Sequence, residues 1–237
     1  MPIIAFASSK GGPGKTTACI TLAGELARQG KEQGITITII DADPNQHSAK
    51  WASKEGCPDN IRLVKNSNEE SILDDIDDAA EKSGFILVDL EGTATMAVAH
   101  AISRSDLVVA PCQGSQDDAD EAAKTIKLIR RQSRALRRDI PYSILFNRTN
   151  PAITPRTLKA IIREFKDAGV DIFESSLIDR EAFRAVRSFG GVVNDLNPKE
   201  VSGINKAALN AKSFAEEVKI KLLKHKQNKE KMVVGNG

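Results

Sequence analysis

The sequence predicts one doubly wound α/β domain: a single, mostly parallel sheet flanked by helices. Short β-branched runs alternate with amphipathic stretches along most of the 237 residues. The runs are apolar almost throughout rather than alternating, the pattern of strands buried on both faces beneath helices. A glycine-rich turn joins the first run to the first amphipathic stretch. In such a sheet, ligands lie outside the carboxyl ends of the strands.

Residues 3–7 form the first apolar run and lead straight into the glycine turn, and helical spacing over 15–29 follows. A β-branched run at 35–40 then precedes a helical pattern at 46–54. The same alternation continues with strands at 61–64, 85–88, 107–110, 143–146 and 170–173. Between and after them, spacings of three and four predict helices over 69–82, 94–104, 117–138, 155–168, 180–188 and 202–225. There is no internal repeat and no Pro-, Gly- or Ser-rich linker, so residues 1–225 read as one domain. Residues 226–237, polar and then Gly/Asn-rich, read as a flexible C-terminal tail.

Hydrophobic residues make up 41% of the chain and charged residues 28%, ordinary values for a protein that buries a core. No run approaches the roughly 18 apolar residues of a membrane span. The N-terminus lacks the basic-then-apolar pattern of a signal peptide, which predicts a cytoplasmic protein. Cys19, Cys57 and Cys112 are odd in number and far apart, which argues against a disulfide framework, a zinc site or a bridging iron–sulfur cluster. The net charge of +2 hides an asymmetry, −10 over residues 1–123 and +12 over residues 124–237. A basic C-terminal half suggests a face for a polyanion.

The turn reads Ser9-Lys10-Gly11-Gly12-Pro13-Gly14-Lys15-Thr16-Thr17. Strand, glycine loop, Gly-Lys-Thr and helix together form a phosphate-binding loop for a purine nucleoside triphosphate with Mg²⁺. Glycines let the backbone approach phosphate oxygens with its N–H groups turned inward, and the helix N-terminus adds positive partial charge. Lys15 is expected at the β- and γ-phosphates, Thr16 on Mg²⁺ and Thr17 at the α-phosphate. Pro13 removes one N–H from the loop at a variable position.

Position 9 is Ser where the general motif has Gly, and a second lysine, Lys10, opens the loop. In this it closely resembles the deviant P-loop of the ParA/MinD superfamily of ATPases. The resemblance implies that Lys10 reaches in trans to a partner's phosphates and that ATP drives homodimer formation.

Asp41-Ala42-Asp43-Pro44-Asn45-Gln46 ends the second strand. Two carboxylates at i and i+2 on a strand end can approach one Mg²⁺ and its waters. The segment resembles the family's Asp-x-Asp-Pro-Gln, which implies that Asp43 positions the attacking water while Asp41 supports the metal shell. Residues 85–88 lead into Asp89, the acid that P-loop ATPases place on a metal-bound water. After it the family continues Thr-Pro-Pro, whereas this chain has Leu90-Glu91-Gly92. Asp118 falls at a recurring acid of the family. Ser115 and Asp117 are equally good helix N-caps, so a structural role fits that segment better than a catalytic one. Asn147 and Arg148 end the sixth strand, where the family contacts adenine, and Asn can both donate to and accept from a purine edge.

The helix at 117–138 carries Arg130, Arg131, Arg134 and Arg138 in a stretch without acids. Such a stripe fits nonspecific DNA binding, and equally fits a solvated face or pairing with the acidic helix at 69–82. A second basic segment runs from Lys206 through Lys231, and Arg180, Arg184 and Arg187 fall at helical spacing before it. The resemblance implies a DNA-segregation ATPase, nucleoid-associated in the cytoplasm and working with a small DNA-binding adaptor or activator protein. The alternative is an assembly factor acting at an origin of transfer in conjugation or T-DNA transfer. A MinD-like membrane role fits less well, because the C-terminal segment offers a poor apolar stripe, and no stable membrane association is expected.

Overall fold

The computed structural model describes the backbone of residues 1–234 and the side chains of residues 1–228. Its strands are β1 (Ile3–Phe6), β2 (Ile37–Ala42), β3 (Ile61–Val64), β4 (Phe85–Leu90), β5 (Leu107–Cys112), β6 (Tyr142–Thr149) and β7 (Leu177–Ile178). They pair in parallel, in the order β3-β2-β4-β1-β5-β6-β7. Every residue of β2 and β5 is buried, Thr38 and Asp41 of β2 included, as strands covered on both faces require. The doubly wound class is therefore the one the sequence predicts.

The helices are α1 (Lys15–Gly30), α2 (His47–Ala52), α3 (Ile72–Ala80), α4 (Met96–Arg104), α5 (Gln116–Leu136), α6 (Arg156–Asp167), α7 (Glu181–Phe189) and α8 (Ile204–Val234). Successive strand residues point to opposite faces, and so divide the core. Ile4, Phe6, Ile37 and Ile39 meet α1, α2, α7 and α8 through Leu22, Trp51, Phe183 and Phe214. Ala5, Ile40, Ile86 and Val88 meet α3 and α4 through Ile76 and Ile102. Ile144 and Phe146 meet α5 and α6 through Ile126 and Phe165.

Strand register places the site. Phe6 stands opposite Asp89 on one side, and Asp41 stands opposite Asp89 on the other. The start of the glycine loop and two carboxylates thus emerge side by side at the carboxyl edge.

Two elements differ from the sequence reading. Residues 170–173 make only one bridge, Ile144 with Ile172, and the seventh strand forms later at Leu177–Ile178. Between the two, Glu217 of α8 accepts the N–H groups of Glu174 and Ser175, each at 2.8 Å, which interrupts the pairing after Phe173. Helix α8 also runs past residue 225 to Val234, because the segment after it is rich in good helix formers such as Lys, Gln and Glu. Residues 235–237, the end of the expected tail, lie outside the described residues. Among the described residues no helix is long and apolar enough to cross a membrane.

Helix α8 docks through Phe214, fully buried and edge-on to Phe173 with ring centroids 5.4 Å apart. Phe214→Ala leaves a cavity there and is expected to cost about 3–5 kcal/mol, read as a lower urea midpoint at unchanged slope.

Candidate nucleotide site

The loop between β1 and α1 needs glycine at two places. Gly12 and Gly14 have φ of 95° and 105°, a left-handed backbone that side chains disfavour. Gly14 is also crowded, since a Cβ there would sit 2.4 Å from Asn147 Nδ2. No side chain caps the N-terminus of α1, so its first N–H groups face the site, as anion binding requires.

Neighbours from three strands and from α5 hold this loop. Asn147, at the end of β6, donates from Nδ2 to the carbonyl of Pro13 at 2.9 Å, and Gln113, after β5, donates to the carbonyl of Gly12 at 3.1 Å. Ser9 Oγ donates to Glu121 Oε2 at 2.6 Å, and its N–H donates to Thr125 Oγ1 at 3.0 Å. Gly92, after β4, lies against the loop backbone, where a Cβ would come within 2.5 Å of Gly11 N. That contact explains Leu90-Glu91-Gly92: only glycine lets this segment approach so closely.

Lys15 is buried and donates to Ser8 Oγ at 2.8 Å. Burial lowers its pKa, against the charges of Asp89, Asp43 and Glu91. Lys10 is half-exposed and pairs with Asp118 at 2.9 Å. Burial would raise the Asp118 carboxyl, but the hydrogen bonds from Ser115 and Lys10 outweigh it and hold it below the ordinary value. Of the two candidate caps for α5, Ser115 is the N-cap, accepting from Asp118 N.

Asp89 is fully buried. Ser48 of α2 donates to its Oδ2 at 2.7 Å, and Oδ1 has no partner among the described residues. Burial pushes this carboxyl up to about 6, against the stabilising hydroxyls of Ser48 and nearby Thr16. A buried carboxylate oxygen without a partner, beside a threonine hydroxyl, fits a hydrated Mg²⁺. Asp41, expected in the metal shell, spends Oδ1 on the N–H of Asp43 at 3.1 Å and Oδ2 on that of Ala49 at 2.7 Å. It caps the start of α2 and sits one layer behind the site. Asp43 is half-buried, its Oδ1 accepting from Asn45 N and Nδ2 at 2.8 and 3.0 Å. Nothing in the sequence pattern marks Ser48 or Gln113, which enter the site only through tertiary contact.

Beside the loop lies a cavity of about 330 Å³ lined by Gly14, Thr17, Asn147, Arg148, Ile178 and Phe183. Asn147 Oδ1 is buried there without a partner. Nδ2 gives one of its two N–H groups to Pro13, which leaves the side chain a donor as well as the acceptor Oδ1. Arg148 is exposed, with φ of 53°, at the cavity's rim.

The basic residues separate into distinct places. Arg130, Arg131 and Arg134 are exposed on α5. Arg138 is not on their stripe: α5 ends at Leu136, and Arg138 folds back to donate to the carbonyls of Ser103 and Ser105, each at 2.9 Å. The acidic helix α3 pairs instead with Arg104 of α4, through Asp77 at 2.8 Å. On α7, Arg184 is paired with Asp179 and Glu181, and both Arg184 and Arg187 line the cavity beside the loop.

A parallel sheet in this order, with a glycine loop after β1 and carboxylates ending β2 and β4, defines a P-loop nucleotide-binding protein of the ParA/MinD kind. A family model described as VirC1 protein matches residues 1–220. The chain belongs to the VirC1 family, within the ParA-like ATPases. It is 34% identical over 215 residues to Protein ParA of Rhizobium radiobacter, covering 91% of this chain and 95% of that one. Over 195 residues it is 28% identical to protein virC1 of Rhizobium rhizogenes, covering 80% and 82%. The same fold appears in the ATP complex of a Cyanothece McdA variant, with a TM-score of 0.74 at 16% identity, covering 92% of this chain and 96% of that one.

Gly92→Ala is expected to push residues 10–11 out of position and weaken binding of a fluorescent ATP analogue about tenfold or more, by the sensitivity of preorganised sites to small displacements. Unchanged affinity would mean that the contact is incidental. A second expectation concerns pH. Asp89 holds a proton in the fold that the unfolded chain releases above about 4. Its burial therefore costs little near pH 4 and increasingly more through about 6, reaching about 3 kcal/mol above that. In metal-free buffer, Asp89→Asn raises stability to urea at pH 7.5, with a gain that shrinks toward pH 4.

Proposed function

We propose that this chain is an ATP-dependent dimerising ATPase that binds DNA nonspecifically and acts in DNA segregation. The observation that carries the reading is the second loop lysine, Lys10. It lies on the open face of the site and is held only by a solvent-screened ion pair with Asp118. Lys10 exchanges that pair for the phosphates bound by a second copy.

Within one copy, the loop N–H groups and Lys15 hold the β- and γ-phosphates, and Thr17 faces the α-phosphate. Thr16 and Asp89 would hold Mg²⁺ and its water, with Asp41 behind them, and the metal would supply charge neutralisation for phosphoryl transfer. Asp43 orients the attacking water. Asn147 meets the adenine edge through Oδ1 and its second N–H, and Arg148 closes the rim. Arg130, Arg131 and Arg134 supply phosphate contacts to DNA, with Arg187 on the second basic face, and a small DNA-binding protein acts as adaptor or activator. Similarity to Protein ParA supports segregation. The match to the VirC1 model favours the second reading, an assembly factor at an origin of transfer.

Light scattering with ATP tests the core of this. The wild type doubles in mass, Lys10→Ala stays monomeric, and Asp43→Ala forms a dimer with turnover reduced at least about tenfold. A Lys10→Ala protein that still dimerises and hydrolyses normally excludes the trans role. DNA affinity in ATP falls roughly 100-fold between 50 and 200 mM salt for about four phosphate contacts. Equal affinity for random and origin duplexes supports segregation, and selective binding of the origin supports transfer.

A further inference from the structure

Helix α2 is tied at both ends to parts of the molecule with different tasks. At its start, Ser48 Oγ donates to Asp89 Oδ2 and Ala49 N–H donates to Asp41 Oδ2, each at 2.7 Å, and all four residues are buried. At its end, Trp51 Nε1 donates to the carbonyl of Gly191 at 3.0 Å. Lys54, just beyond, donates to the carbonyls of Arg187 and Ser188 at 2.7 and 2.6 Å, the last residues of α7.

Backbone packing closes this junction. A Cβ on Gly190 would come within 2.6 Å of the Glu55 carbonyl oxygen, and one on Gly56 within 3.3 Å of Gly191 Cα. Only one and a half turns long, α2 is too short to bend and is packed on both sides, so it moves as a unit. Its far partner, α7, forms a wall of the nucleoside cavity through Phe183 and carries Arg184 and Arg187.

We propose that α2 is a strut that carries the state of the Asp89 site to α7, with Ser48 as the positioning residue at one end and Trp51 and Lys54 anchoring the other. The inference rests on the nucleotide reading of that site. When ligand binding displaces Asp89 or the segment 43–46, the first turn of α2 follows through Ser48 and Asp41. The displacement reaches residues 187–191 through two side-chain contacts and a glycine junction. Occupancy of the phosphate site then sets both the width of the nucleoside cavity and the placement of the α7 arginines. Coupling of this kind needs an unbroken chain of packed contacts between the two places, and each link here is a named hydrogen bond or backbone contact.

Trp51 is the only tryptophan in the chain, so its emission reports on the strut directly. ATP with Mg²⁺ is expected to shift the emission of the wild type more than ADP with Mg²⁺ does. ATP also changes amide exchange over residues 186–191 by about twofold or more. Ser48→Ala loses at least about half of the emission response and lowers kcat with KM nearly unchanged, the signature of a misplaced Asp89 rather than of a lost binding contact. Lys54→Met keeps wild-type turnover and emission response but loses the exchange response at 186–191. The strut is overturned if ATP binds and neither emission nor exchange responds. It is equally overturned if Ser48→Ala responds like the wild type, or if Lys54→Met retains the α7 response. Failure of the wild type to bind a fluorescent ATP analogue removes the nucleotide reading itself, and the strut with it.

Discussion

The backbone of the loop between β1 and α1 must hold its N–H groups inward, and much of the molecule is arranged around that requirement. Left-handed glycines at 12 and 14 give the shape. Glycines alone leave the loop free to take other shapes, because they lose more conformational freedom on ordering than any other residue. The shape is held by contacts from outside: Asn147 on Pro13, Gln113 on Gly12, Glu121 and Thr125 on Ser9, and Gly92 against Lys10 and Gly11. Each partner sits at or just beyond the carboxyl end of a strand or on α5. The parallel order of the sheet is what gathers them at one edge.

Charge in the site follows from the same gathering. Register brings Asp41 and Asp89 onto adjacent strands beside Lys15. Burial raises both carboxyls and lowers the lysine, so all three are disfavoured in their charged forms. Asp41 is relieved by two backbone N–H groups, whereas Asp89 keeps one oxygen without a partner. Such an arrangement suits a ligand that brings its own charges, a triphosphate with a divalent cation.

The basic half of the chain does not form one face. Helix α4 lies between acidic α3 and basic α5, and satisfies α3 through Arg104. That leaves the arginines of α5 facing solvent. Those of α7 stand at the nucleoside cavity, linked through α2 to the carboxylates. A polyanion meeting α7 thus meets an element joined to the nucleotide site, whereas one meeting the outer part of α5 does not.

The class of fold was legible because continuous apolar runs and helical spacings are local signals, and so were the phosphate loop and its lysines, because loop chemistry is written in consecutive residues. That Asp89 stands beside the strand leading into that loop was legible through order along the chain. Less could be read where a side chain's role depends on a neighbour distant in sequence. The edge pairing breaks between the bridge at Ile172 and Leu177–Ile178, where Glu217, far along the chain, takes the N–H groups of residues 174 and 175. Arg138 left its stripe because the helix ended two residues earlier and the carbonyls at 103 and 105 were within reach. Asp41 caps a helix, Asn147 braces the loop at Pro13, and Ser48 enters the site at all, only because packing decided which of their hydrogen-bonding atoms are engaged. Sequence determined which chemical groups the protein owns and roughly where the chain turns. Tertiary structure decided which of those groups remain free to act, because a buried polar atom is defined by the partners it already has.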